Sequence, residues 1–387
     1  MRICMLLHKP VDHDARVRRE AATLAAAGHE VVVLELHPRR DRPGDLPPGV
    51  DLASAAPPRW IVRLLPFHLY RLAFLVVFVR RILQLAPDVI HAHDAAMLLP
   101  GIVARRLTGT PLVYDSHELA TSVPYRDRAW ERFVELIEAV AVPRCRRVIT
   151  VSDGIADRLR ERYGLARRPS VVRNVSALHA NGRPARLRER LGLEPGARLV
   201  LHQGAPATGR GGETLIRALA RLDPAVRLVF LGTGEPGMAE RLHALAGEVG
   251  VAERVRFLPS LPLGDLLSAT AEADVGVSLL QDTCENHRLA LPNKVFDYIA
   301  AGVPVVASDL PELRGLIRGY GVGWTAQPDD PVDVARALER ALGPTPAGLK
   351  ARLAAAHGAL NWGREQERLL ATYDFCLGSP EFSRTSP

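Results

Sequence analysis

The sequence predicts an α/β fold built from two doubly wound parallel-sheet domains. Three features point there: short apolar runs alternate with amphipathic helical stretches, the scheme occurs twice, and a turn-rich segment separates the two passages. Several apolar runs are β-branched and hydrophobic at every position, as strands are when helices cover both faces of a parallel sheet.

In the first passage, strands are expected over 3–8, 30–36, 89–92, 111–114 and 147–151. Asp14 is placed to cap a helix beginning near Ala15, and Gly28 closes that helix as a left-handed cap two residues before the next strand. The second passage repeats the pattern over 198–202, 227–231, 255–258, 275–278 and 303–307. Between them, 177–190 carries Asn181-Gly182-Arg183-Pro184 and no apolar period, so the first domain is set at 1–178 and the second at 179–361. Asn181 and Gly182 form a plausible hinge. A final helix over 362–376 carries Leu369, Leu370, Tyr373 and Cys376 at helical spacing and is expected to pack back on the first domain. Residues 379–387 are polar and read as frayed.

The 387 residues include 47% hydrophobic and 24% charged side chains, enough apolar surface for two full cores and unlike a disordered chain. The formal charge is +7, yet the excess is nearly all arginine, with Lys9, Lys294 and Lys350 the only lysines. That bias is discounted as evidence for nucleic acid. Four cysteines at 4, 145, 284 and 376 make no metal or redox pair, which suits a cytoplasmic protein. The first residues read as a strand rather than a signal peptide. The longest greasy run, 72–79, is eight residues against the roughly 20 of a membrane-spanning helix.

The richest segment is Leu291-Pro292-Asn293-Lys294-Val295-Phe296-Asp297-Tyr298, which leads to Gly302-Val303-Pro304-Val305-Val306. Pro292 opens a helix and Gly302 closes it, so Asn293 and Lys294 fall in the first turn, where unpaired N–H groups attract phosphate oxygens. A lysine there opposes the helix dipole, and a bound anion removes that conflict. Asp297, one turn on, is placed to accept hydrogen bonds from ribose hydroxyls. The structural alternative is an amphipathic helix with a surface lysine.

A second segment, 203–214, packs Gly204, Gly209, Gly211 and Gly212 around Arg210 after a strand. Such a loop lets backbone approach a ligand while Arg210 offers a donor fork to phosphate. Arg210 and Lys294 are expected to clamp one diphosphate. A flexible surface loop is the alternative. Gly232-Thr233-Gly234-Glu235-Pro236-Gly237 matches GxGxxG, but Pro236 has no N–H and no acid ends the next strand, so a dinucleotide reading is set aside. Gly234 and Glu235, with Leu258 and Pro259 after the next strand, are assigned to the lining of the donor pocket.

Together these pieces resemble the donor domain of glycosyltransferase family 4, over nearly the whole chain. The resemblance implies the GT-B architecture, two Rossmann-like domains facing across a cleft, and a retaining transfer from a nucleotide sugar. It gives the Gly-rich loop and its basic residue to the donor diphosphate, and Asp297 ahead of Gly-x-Pro-Val-Val to the ribose. The strand into the linker matches at Asn174. The family commonly has a second carboxylate eight positions before Asp297, where this chain has Leu289, and Glu285 is the nearest acid upstream. An arginine common after the loop's first glycine is replaced by Ala205.

In the first domain, Asp115-Ser116-His117-Glu118 follows a strand, and the crevice rule places such residues at a ligand. The resemblance maps His117 onto a family histidine close to the transferred sugar. With Asp115 and Glu118, His93 in His91-Ala92-His93-Asp94 forms the acceptor side or merely supports the loop. Asp12-His13-Asp14 looks like a metal motif, but the resemblance argues for basic side chains in place of a metal, leaving these three to the acceptor side or, for Asp14, to capping. Residues 59–81 are basic, aromatic and apolar, a pattern suited either to an anionic membrane surface or to a helix under the sheet.

The expected function is transfer of a sugar from a UDP- or GDP-sugar to a hydroxyl in surface polysaccharide or glycolipid synthesis. No cofactor or metal is expected beyond the donor as co-substrate. The expected place is the cytoplasm, including the inner face of the plasma membrane, with a carbohydrate or lipid-linked acceptor and no nucleic acid. A GT-B epimerase or a non-catalytic nucleotide-sugar binder are the alternatives.

Overall fold

The computed structural model describes residues 1–36, 46–56, 67–123, 128–175 and 186–377. The chain divides into two compact units, 1–173 joined by 365–387, and 174–364. The expected boundary at 178/179 and the hinge residues Asn181 and Gly182 lie outside the described residues; the division itself falls between Arg173 and Asn174.

Unit 1 contains β1 (Arg2–Leu7), β2 (Glu30–Glu35), β3 (Val50–Ser54), β4 (Val89–His93), β5 (Leu112–Ser116), β6 (Arg147–Thr150) and β7 (Ser170–Val171), paired in parallel in the order β3-β2-β1-β4-β5-β6-β7. Its central strands are buried along their length, so both faces are covered. The helix Ala15–Ala26 starts on Asp14, whose side chain accepts from the N–H groups of Arg16 and Val17. The final helix, Trp362–Leu377, groups with unit 1 from Glu365 onward and buries Glu365, Leu369 and Tyr373.

Unit 2 contains β8 (Arg198–Gln203), β9 (Val226–Leu231), β10 (Val255–Leu258), β11 (Val275–Ser278), β12 (Val305–Ser308) and β13 (Gly323–Ala326), parallel in the order β10-β9-β8-β11-β12-β13. The period of two along β8 sorts its side chains: Leu199 and Leu201 join a core with Val295, Phe296 and Ile317, while Val200 joins a second core with Leu215, Phe230 and Val334. The helix Asn293–Ala300 thus lies in one layer and the helix Gly212–Leu219 in the other.

The ten expected strands are all present. The three not expected are β3, β7 and β13, and each is an outermost strand of its sheet. Such strands have fewer buried positions: β3 alternates buried with exposed residues and most of β13 is only half-buried.

Candidate functional site

In both units the strand order reverses at one place, between β1 and β4 and between β8 and β11. Loops leaving neighbouring strands in opposite directions open a crevice at their carboxyl ends. In unit 2 those loops are the Gly-rich segment after β8 and the segment after β11 that leads to Asn293–Ala300. They touch: the Gln281 N–H donates to the Gly209 carbonyl at 2.9 Å, and Gly209 packs beside His287 and Thr283.

Lys294 occupies the first turn of Asn293–Ala300, yet its side chain is buried and not at the surface. Its ammonium lies against the Gly204 backbone, 3.7 Å from where a Cβ would stand, and 3.4 Å from Nε2 of His202. Gly204 stands at φ +88°, a backbone conformation that favours glycine. Burial, then the nearby Arg210 guanidinium, lowers the Lys294 pKa to about 7 against a weaker pull from Asp297. Burial, Lys294 and Arg210 likewise hold His202 well below its ordinary value, so it is a neutral acceptor. Neither Lys294 nor Arg210 is ion-paired with a carboxylate among the described residues. Pro292 provides no side-chain cap, so the helix N-terminus adds its own positive potential. Two mutually repelling cations and an uncapped helix start form a place for an anion.

The other predicted donor residues have different surroundings. Gly211 has φ +70°, and a Cβ there would stand 2.5 Å from Leu279 Cβ and from its carbonyl oxygen. Gly234 packs on Pro206, while Glu235 receives the N–H and hydroxyl of Thr208 at 3.2 Å each and ties its turn to the Gly-rich loop. Leu258 ends β10 half-buried, and Pro259 is exposed. Asn293 is exposed, and Glu285 begins the short helix Glu285–Leu289. Asp297, expected at the ribose, is buried with Oδ2 accepting from Gln203 Nε2 at 2.5 Å. Gln203 Oε1 in turn accepts from the Thr270 hydroxyl at 2.9 Å.

In unit 1, His117 stands between two carboxylates. Its Nε2 is 3.1 Å from Asp115 Oδ2, its Nδ1 is 3.4 Å from Asp94 Oδ1, and His93 Nδ1 lies 3.2 Å from Nε2. Burial by itself lowers an imidazole pKa, but Asp94 and Asp115 overcome it and push His117 up to about 9, so the ring is a cation at neutral pH. Burial opposes the charge of Asp115, but Arg16, gripping both its oxygens at 2.8 and 2.9 Å, and His117 hold it well below the usual carboxylate range. Asp94 sits at φ +62°, ψ 162°, a conformation that side chains avoid. Strain of this kind persists where surrounding contacts fix it.

Asp14 caps its helix, pairs with Lys9 at 3.0 Å and feels His117, whereas Asp12 and His13 are exposed in the turn Val11–His13. The metal-like spacing therefore spreads its two acids over different surroundings. Glu118 turns its carbonyl to the Ser116 hydroxyl at 2.7 Å. Among the described residues, Glu20, His91, His93 and Asp115 cluster closely enough to hold an ion. Arg16 already lies within 2.9 Å of both carboxylates and supplies a cation there.

Three participants were missed in the sequence: Arg16, His202 and Gln203. Gln203 sits at a strand end, the signal that singled out His117. Arg16 gave no signal, because its partner Asp115 is 99 residues away.

Comparison with known proteins accords with this geometry. A model of Glycosyltransferase Family 4 matches residues 15–175, and one of Glycosyl transferases group 1 matches 197–343. A D-inositol 3-phosphate glycosyltransferase of Acidothermus cellulolyticus is 31% identical over 406 residues, covering 95% of this chain and 86% of that protein. Among solved structures, sucrose-phosphate synthase from Thermosynechococcus elongatus superposes with TM-score 0.79 at 20% identity, over 97% of this chain and 99% of the other. Anabaena HepE in complex with UDP-glucose gives 0.76 at 19% identity, over 97% and 99%. Two parallel-sheet domains of this form have the GT-B fold, and the chain belongs to glycosyltransferase family 4.

Proposed function

We propose that this glycosyltransferase takes a sugar from a nucleoside diphosphate sugar and transfers it to a hydroxyl with retention at the anomeric carbon. The observation that supports it best is the buried Lys294 ammonium, set against a glycine backbone beside Arg210 and a helix N-terminus. A uridine or guanosine diphosphate fits that charge, and the HepE complex with UDP-glucose supports a nucleotide-sugar donor.

As the anomeric C–O bond breaks, negative charge grows on the leaving β-phosphate and positive charge on the sugar ring. Lys294, Arg210 and the first-turn amides stabilise the phosphate in proportion to its growing charge, which lowers the barrier. The acceptor hydroxyl forms the new C–O bond on the same face and passes its proton to the departing phosphate. His117, already protonated, acts as a fixed positive charge, not as a base. Asp115 and Asp94 hold its ring by both nitrogens. In this reading no metal or cofactor takes part, and Asp297 with Gln203 forms the wall next to the ribose.

The acceptor proposed is a carbohydrate or lipid-linked hydroxyl in surface polysaccharide or glycolipid assembly. Residues 59–66 of the predicted membrane-facing stretch lie outside the described residues. In the helix Phe67–Leu85, Leu72, Val76, Arg80 and Leu83 share an exposed face that suits an anionic leaflet. No described helix is long and apolar enough to cross a membrane.

The test is product analysis by proton NMR with UDP-glucose and GDP-mannose against a panel of hydroxyl acceptors. An α-linked product from the α-linked donor, lost on Lys294→Ala with the fold intact, supports the proposal. Free sugar formed at the same rate without acceptor supports an epimerase, and nucleotide binding without turnover supports a silent binder.

A further inference from the structure

Glu20 lies on the helix Ala15–Ala26, one turn beyond Arg16, and is completely buried. Its Oε1 is 2.9 Å from Arg16 Nε, the separation of an ion pair. That contact delivers no hydrogen to Glu20. Arg16 Nε carries one hydrogen, and it goes to Asp115 Oδ2 at 2.8 Å. The other bonds of the guanidinium run to Asp115 Oδ1 at 2.9 Å and to the Val172 carbonyl at 2.7 Å. Neither Glu20 oxygen accepts a hydrogen bond among the described residues.

His91 and His93 from β4 and Asp115 from β5 each place an atom within 4.8 Å of a Glu20 oxygen. His91 Nδ1 bonds to the Tyr373 hydroxyl of the final helix at 2.7 Å, and His93 Nδ1 lies 3.4 Å from Asp115 Oδ2. Nε2 of both rings is buried without a hydrogen-bond partner among the described residues, and burial keeps both rings neutral. An ionised Glu20 is thus a second buried anion beside Asp115 that receives no hydrogen, a costly state. A protonated Glu20 brings the hydrogen itself, and the Asp115 carboxylate is near enough to accept it. Burial and the Asp115 charge push the Glu20 pKa up against the pull of Arg16 and His117. A metal ion does not fit the same set, because the Arg16 guanidinium already touches both carboxyls.

We propose that Glu20 is a positioning residue for transfer: as a neutral acid it shares one proton with Asp115, and by giving that proton up in alkaline solution it keeps His117 charged. While Glu20 is neutral, Asp115 is the one anion between Arg16 and His117. When the proton leaves for solvent, a second negative charge appears within reach of His117 and holds the ring proton more firmly. The other groups facing His117 are Asp94, Asp115, Asp14, His93, His8 and Arg16. The consequence for transfer rests on the role given to His117 above.

The experiment uses the full chain labelled with carbon-13 at the glutamate side-chain carboxyl. The resonance absent from Glu20→Gln, and absent again from Glu20→Asp, belongs to Glu20. It should stand at the position of a carboxylic acid at pH 7 and move to that of a carboxylate as pH rises to 10. Glu20→Gln carries a neutral side chain of similar shape at every pH. In that variant His117 should titrate below its wild-type value of about 9, read by NMR. At saturating donor, its loss of turnover between pH 7 and 9 should be severalfold steeper than that of wild type. A carboxylate resonance at pH 7, or a His117 titration that Glu20→Gln leaves unchanged, overturns the proposal. Both NMR results as expected with coincident pH profiles overturn the role of His117 in transfer, and leave the shared proton standing.

Discussion

Binding of a nucleoside diphosphate sugar should draw a proton from solution, and the reason lies in Lys294. With its pKa lowered to about 7, the empty pocket holds mostly neutral lysine at pH 8, about one-tenth protonated. A diphosphate beside it restores the ammonium, because the anion now offsets both burial and Arg210. The complex should therefore take up about 0.9 proton at pH 8, and affinity should fall roughly tenfold per pH unit above 7 until the bound-state pKa is reached. UDP-glucose suits the assay because its diphosphate has no ionisation in that window. Calorimetry at pH 8 in HEPES and in Tris, which differ in ionisation heat, reads the proton directly. The permanently charged Lys294→Arg variant should lose both the buffer dependence and the pH slope. Equal heats in the two buffers with wild type, or a slope that survives Lys294→Arg, would refute the assignment.

Other outcomes follow from the same structure. Lys294→Met should stabilise the empty protein at pH 7 by up to ~5 kcal/mol, the interval from 7 to 10.5 at ~1.4 kcal/mol per unit, while abolishing transfer. The sign comes from the unfolded chain holding more protons across that window, so wild type should gain on the variant as pH rises from 7 to 10.5; urea titrations at two pH values check it. Asp115→Asn should cost ~1–3 kcal/mol, because it leaves the buried Arg16 guanidinium with Glu20 as its one charged partner, and should drop the His117 pKa below 9 in an NMR titration. Asp94→Gly should be more stable than Asp94→Ala by ~1 kcal/mol in thermal melts, since both lose the carboxylate but only glycine tolerates φ +62°. Gly211→Ala should cost ~1–3 kcal/mol and weaken nucleotide binding, because its Cβ meets the Leu279 carbonyl; an unchanged melting temperature would contradict that contact.

Much of this protein was legible in its residues because parallel strands covered on both faces leave continuous apolar runs. The runs at 3–8, 89–92 and 198–202 marked central strands, and the crevice rule then singled out the segments that follow them. Three of the four outermost strands, β3, β7 and β13, left no such mark. β13, Gly-Trp-Thr-Ala, has no apolar run and gains its place only by pairing with β12. Arg210 and Lys294, 84 positions apart, were joined by a chemical argument about a shared diphosphate, and the structure puts the Lys294 ammonium near Gly204, at the start of the loop that carries Arg210.

The sequence alone determined the alternation of strands and helices, the two-domain plan, and the kinds of group near each strand end, because these depend on local period and turn chemistry. Only the tertiary structure decided ionisation. Whether Lys294 is a surface ammonium or a buried one near neutrality, and whether His117 is a base or a fixed cation, depends on water removed and on charges far away in the chain. Arg16 grips Asp115, Asp115 holds His117, and Tyr373 donates or accepts at His91 across 282 residues. No local pattern encodes such pairs, since desolvation and Coulomb energy are properties of distance in space.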